Sequence, residues 1–184
     1  MRLAGLLLAF LAGMSLSATR VGADLKAVFA FNERIISIRF PRFNYGIMTT
    51  VNGNARKIAV TFPRAETDSP REAPAQHLEI SLELIAANVS GADYYQHYLS
   101  KYTEAMGSTI APVENVMPNA MSLLDCRMTF LLFWDSEWKS HKALLITSID
   151  EGTGVVILLD NLADSYDANE EAFIGILESI HFEN

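Results

Sequence analysis

Three apolar runs follow one another in the last third of the chain: Arg127–Trp134 (RMTFLLFW), Lys142–Ile149 (KALLITSI) and Val155–Leu159 (VVILL). Phe173, Ile176, Leu177 and Ile180 then recur at steps of three and four, the spacing of one helical face. Three short runs with polar breaks, followed by an amphipathic helix, predict a strand meander with a helix folded back over it. The turns are legible too. Asp135 to His141 joins the first pair, and Asp150-Glu151-Gly152-Thr153-Gly154 joins the second, with glycines where a tight turn needs them.

Upstream, period-two alternation marks further strands. Ile36, Ile38 and Phe40 alternate with Ser37 and Arg39, and Pro41 ends that run. Tyr45–Val51 and Lys57–Phe62 flank Asn52-Gly53, the strongest short hairpin signal. Leu78, Ile80, Leu82 and Leu84 alternate with Glu79, Ser81 and Glu83, a strand with one wet face. The stretch from Ala23 to Asn32 reads equally as a short helix or a chain entering the sheet. Residues 64–76, charged and proline-bearing, read as a solvated loop, and 108–125 as a long connection holding at most one short element.

A second helix is bounded by its own chemistry. Ser90 caps it, with Asp93 three residues on, and Gly107 stops it. Tyr95, Tyr98, Leu99, Tyr102 and Met106 form one face, and Tyr94 adds a fourth tyrosine. A similar pattern, Asp167 with Glu170, stands before the last helix. The expected fold is α+β: a mainly antiparallel sheet of six to seven strands flanked by two main helices.

The start of the chain has a different grammar. Arg2 precedes an uncharged apolar run, Leu3 to Leu16, and small residues follow, with Ala23 or Ala18 as the cleavage position. That is a secretory signal, so residues 1–23 are expected to be removed and 24–184 to form a single exported domain, in the periplasm or outside the cell. Leu11-Ala12-Gly13 opens like a lipobox, but Met14 stands where a lipidated cysteine would, so no lipid anchor is expected.

The chain of 184 residues is half apolar and carries a formal charge of −8. Removing residues 1–23 takes Arg2 and Arg20 and moves the charge to −10. So acidic a domain is repelled by phosphate backbones and anionic lipid heads, which excludes nucleic acid as the expected partner and, once the signal is cut, the membrane surface. Cys126 is the one cysteine, which rules out an internal disulfide. Beside Leu123, Leu124 and Met128 it reads as a small core hydrophobe.

No nucleotide loop, serine elbow, paired-cysteine pattern or His-x-x-x-His spacing is present, so neither cofactor nor metal is expected. Two weaker constellations remain. Asp135, Glu137 and His141 could bring oxygens and an imidazole to one metal, but they read far better as an exposed polar turn. Asp93 and His97 stand at i, i+4 on the tyrosine helix, which resembles half of an acid–base relay without a nucleophile but reads better as a surface helix pair. Candidate binding residues are Tyr94 and Tyr98 on that helix and Trp138 at the hairpin tip; Trp134 is expected to be buried. Asn88-Val89-Ser90 is a glycosylation sequon, meaningful only in a eukaryotic secretory route.

The ending Phe173-Ile174-Gly175-Ile176-Leu177-Glu178-Ser179-Ile180-His181-Phe182, after Ala143–Ile149 and Val155–Leu159, resembles the close of PsbP-like domains. That family comprises thylakoid-lumen photosystem subunits, a small Ran-binding import factor and many exported bacterial proteins. The resemblance covers about a third of the chain; the Asn52-Gly53 hairpin and the 64–76 loop have no counterpart in it. It implies an α/β/α sandwich and a non-catalytic role in binding or assembly, with an unknown protein or small molecule as partner. The alternatives are a small-molecule carrier with a pocket between sheet and helix, and an exported hydrolase using His97 or His141.

Overall fold

The computed structural model describes residues 17–21, 24–31, 34–40, 46–52, 55–62, 76–111 and 126–183. Its strands are β1 (Ser17–Val21), β2 (Asp24–Phe31), β3 (Arg34–Phe40), β4 (Gly46–Asn52), β5 (Ala55–Phe62), β6 (Gln76–Leu84), β7 (Thr109–Ala111), β8 (Arg127–Trp134), β9 (Ser140–Asp150), β10 (Thr153–Leu162) and β11 (His181–Glu183). Helix α1 is Gly91–Met106 and helix α2 is Ala163–Glu178.

Seven strands form one sheet in the order β4-β5-β6-β10-β9-β8-β7, with every pair antiparallel. The three apolar runs lie side by side at its centre, with Ile157 opposite Ile146 and Met128 opposite Ile146 from the other side. A second, four-stranded sheet runs β1-β2-β3-β11.

The large sheet is the middle layer. One face carries Leu78, Ile80 and Leu82 of β6, Leu144 and Ile146 of β9, and Val155, Ile157 and Leu159 of β10. These pack against Tyr166, Ile176 and Leu177 of α2, the following Ile180, and Ile36 and Ile38 of β3. The opposite face carries Leu131, Phe133, Ala143, Leu145, Val156 and Leu158, packed against Tyr94, Tyr98 and Leu99 of α1. Because β9 and β10 are covered on both faces, their sequences are almost continuously apolar. Each fully buried Leu or Ile contributes about 1.5–3 kcal/mol of transfer free energy.

The chain's last residues explain the family-like ending. Ile176, Leu177 and Ile180 are buried, and Ser179 turns the chain toward β3, where its Oγ accepts the Arg39 N–H at 2.8 Å. β11 then pairs with β3, Phe182 opposite Ile36.

Ser90 caps α1 as expected: its Oγ accepts the Asp93 N–H at 3.1 Å and its hydroxyl donates to Asp93 Oδ2 at 2.6 Å. Gly107 ends the helix in the left-handed region, at φ 60°. The ambiguous stretch after Ala23 is strand β2, not a helix. The α2 expectation is corrected, since the helix starts at Ala163, directly off β10, with Leu162 as N-cap and no capping side chain. Asp167 and Glu170 therefore fall inside the helix. Tertiary packing of Tyr166 under the sheet starts the helix before its capping pattern can. Gly53, residues 63–75 and residues 112–125 lie outside the described residues, so the loops expected there are not described beyond the strands that border them.

Candidate functional site

The polar side of β6 faces α1, and the tyrosine helix is fastened to it. Tyr94 and Tyr98 hydroxyls both donate to Glu83 Oε1, at 2.9 and 2.6 Å, and Tyr102 donates to Glu79 Oε1 at 3.3 Å. Burial and the Glu83 carboxylate push the Tyr94 and Tyr98 phenols well above the usual range, as burial and Glu79 do for Tyr102. Lys57 pairs with Glu79, and His77 Nε2 stands 3.5 Å from Glu79 Oε2. Burial would raise the Glu79 carboxyl, but the bonds and charges of His77 and Lys57 outweigh it and hold it at about 2. Tyr94 and Tyr98 are thus buried, with their hydroxyls committed to Glu83. Alternation in β6 announced a wet face; the structure fills much of it with aromatic rings.

The histidine of the β8–β9 hairpin is not where the sequence placed it. His141 was expected in an exposed polar turn; it lies in β9 and is 9% exposed. Its Nδ1 is 2.8 Å from Asp160 Oδ1 on β10, and its Nε2 is 3.4 Å from Asp135 Oδ2 at the start of the turn. The Phe133 ring stacks on the imidazole, centroids 4.9 Å apart. Asp135 also shapes the turn, its Oδ1 accepting the N–H of Glu137 at 2.8 Å and of Lys139 at 2.9 Å. Those backbone donors, with His141, hold its carboxyl below the ordinary range. Asp160 goes the other way, raised by burial against the opposing pull of His141.

Glu137 does not join this set; its carboxylate meets Lys139 Nζ at 2.8 Å. The missed member is Asp160, distant in sequence and brought to His141 by the β9–β10 register, which sets it opposite Ala143 and beside His77 of β6. The two carboxylates sit on opposite nitrogens of one ring, so they do not converge on a common point. No group of three or more His, Cys, Asp or Glu fit to hold a metal occurs among the described residues. The second pair separates as well. Asp93 engages Ser90, and His97 is exposed, its ring edge-on to Tyr98 at 5.1 Å. Cys126 packs half-buried against the main core.

Among the described residues, the tip of the same hairpin carries the most exposed aromatic. Trp138 is 85% exposed and adopts φ 62°, a left-handed conformation that is costly for a bulky residue. Its N–H donates to Asp135 O at 3.1 Å, and the Asp135 N–H donates to Lys139 O at 3.0 Å. Trp134, expected to be buried, is 63% exposed. The reason is coverage: α2 packs chiefly over β10, β9 and β3, and β7 pairs only with Phe130, Leu131 and Leu132 of β8. Leu132 and Trp134 therefore emerge on one side of β8, alternating with buried Leu131 and Phe133.

No family model and no curated protein matches the chain. Among solved structures, its fold is similar to that of the Mog1 E65A mutant, with a TM-score of 0.50 and 10% identity over 92% of this chain and 95% of that one. Cyanobacterial PsbP (CyanoP) from Synechocystis sp. PCC 6803 gives a TM-score of 0.47 and 8% identity over 97% of this chain and 98% of that one. A crystal structure from Bacteroides thetaiotaomicron gives 0.47 and 9% over 81% of this chain, which spans 45% of that one. Identities this low speak to fold alone, and the layered fold is what this chain has in common with Mog1.

Proposed function

We propose that this chain is an exported, non-catalytic binding or accessory protein that meets a protein partner through the β8–β9 hairpin. The observation that carries the reading is Trp138: a large aromatic, almost fully exposed, held at a backbone conformation where glycine or asparagine would cost less. Strain kept at an exposed tryptophan points to a use for that side chain, and tryptophan is a favoured anchor in interfaces. Trp134 and Leu132 extend the apolar surface along the same strand. Tyr94 and Tyr98 serve this function by fastening α1 to Glu83, not by touching the partner.

The hydrolase reading has less behind it. Both nitrogens of His141 face carboxylates, and the exposed His97 is set against Tyr98 with its presumptive Asp93 partner engaged elsewhere. For the carrier reading, the space beneath the tyrosine helix is filled by Tyr94, Tyr98 and Leu99 against Leu131, Leu145 and Val156. Export is supported by the Leu3–Leu16 run, and the acidic balance argues against nucleic acid. The test is affinity capture with the domain starting at Asp24, comparing the wild type with Trp138→Ala. Loss of specifically captured protein, with an unchanged melting curve, is expected; an identical set of captured proteins would remove the hairpin as the contact.

A further inference from the structure

We infer that Asp135, His141 and Asp160 form a proton-operated latch that sets how firmly the Trp138 turn is held. The inference rests on the hairpin being the contact surface and adds how that surface is regulated. The geometry is a linear bridge. Asp135 Oδ1 holds the turn through the amides of Glu137 and Lys139, its Oδ2 faces His141 Nε2, and His141 Nδ1 faces Asp160 on the next strand. One side chain therefore connects the tip that carries Trp138 to the centre of the large sheet.

A neutral imidazole has a single N–H and an imidazolium has two. With two, both carboxylates receive a hydrogen bond. With one, the shorter contact, at 2.8 Å, keeps the proton on Nδ1 for Asp160, and the bare Nε2 lone pair then faces the Asp135 carboxylate. The same satisfied network arises if the second proton sits on Asp160, with Nδ1 accepting and Nε2–H donating to Asp135. The second proton thus belongs to the bridge as a whole and not to one ring nitrogen, and burial, which favours a proton on Asp160, acts in the same direction. Loss of one proton turns the Asp135 end from attractive to repulsive.

Other charged groups stand nearby. His77, opposite Asp160 on β6, leans on Glu79, which also pairs with Lys57, and its charge acts on Asp160 as well. Glu137 and Lys139 of the turn pair with each other. From α1, Tyr98 and Tyr102 are bonded to Glu83 and Glu79. Phe133 stacks on the ring and keeps water from one face. A His77→Gln background separates the charge of His77 from the proton count on the bridge.

Amide hydrogen exchange of the full chain tests this without a partner. Corrected for intrinsic exchange, protection of the Glu137 and Lys139 amides is expected to fall about tenfold across a series from about pH 5 to about pH 8. His141→Gln flattens the profile. Asp135→Asn keeps an oxygen for the two amides but offers an NH2 to Nε2, so the neutral ring becomes the satisfied state and the trend reverses sign. A flat wild-type profile, or an unreversed trend in Asp135→Asn, overturns the latch. Because exchange is read on the protein alone, a failed latch leaves the capture result standing, and a failed capture leaves the latch standing.

Discussion

The Tyr94 hydroxyl occupies the space that a side chain on Gly154 would need. A Cβ at residue 154 would collide with the hydroxyl and outer ring of Tyr94. Tyr94 cannot simply swing aside, since its ring is buried between α1 and the sheet and its hydroxyl is bonded to Glu83. Gly154 pairs with Glu83 across β10 and β6, so the glycine, the glutamate and the tyrosine form one contact. Gly154→Ala is expected to destabilise the domain by about 1–3 kcal/mol, the usual cost of overpacking. In a Tyr94→Ala background most of that cost disappears, giving a coupling free energy of about 1 kcal/mol or more in a urea-denaturation double-mutant cycle.

The Glu79 cluster predicts an acid-side loss of stability. Its carboxyl is held at about 2 when folded, against an ordinary value of 4.5. A depressed carboxylate contributes stability above the unfolded value and loses it as pH falls toward the folded one. Stability is therefore expected to decline between pH 4.5 and about 2, by an amount on the order of 2 kcal/mol from this group. Urea midpoints across that interval check it, with Glu79→Gln flattening the decline. Asp160, raised by burial, works with the opposite sign: its share is present at low pH and is lost as pH rises through its folded value.

The central architecture was legible because β9 and β10 are sandwiched on both faces, and continuous apolar runs such as Val155–Leu159 follow directly from that burial. Ser90 and Gly107 were legible because capping is local chemistry. Trp134 was misjudged because a strand's own pattern does not say where the covering helix ends. The His141 bridge was half legible. Asp135 lies close to it in sequence, but Asp160 reaches it only through the β9–β10 register, which no local pattern encodes. For Tyr94 and Tyr98 the helical spacing favours packing over contact, and what no local pattern announces is Glu83, the acceptor of both hydroxyls.

The N-terminal strand gives a prediction about processing. β1 spans Ser17–Val21, pairs with β2 alone and ends the small sheet. A cut after Ala23 removes it whole and leaves β2, β3 and β11, with the seven-stranded sheet untouched. The exported form is expected to begin at Asp24 by intact-mass measurement and to unfold in one cooperative transition. A mature chain beginning before Thr19 would instead show that β1 belongs to the working domain.

Trp138 offers a prediction in which stability and function move apart. Left-handed backbone costs a residue with a Cβ roughly 1–2 kcal/mol, and glycine escapes that cost while adding about 0.5–1 kcal/mol of unfolded-chain entropy. At 85% exposure the indole returns little burial energy to offset the strain. Trp138→Gly is therefore expected to raise stability by about 0.5–1 kcal/mol, read as a higher urea midpoint at unchanged slope. The same variant is expected to lose partner capture, because the anchor is gone while the turn, still fixed by Asp135, is intact. A substitution that strengthens the fold and removes binding is the mark of a residue retained for contact. If Trp138→Gly instead lowers the midpoint by more than about 1 kcal/mol, the indole is packing rather than presenting itself, and the hairpin loses its claim to be the contact surface.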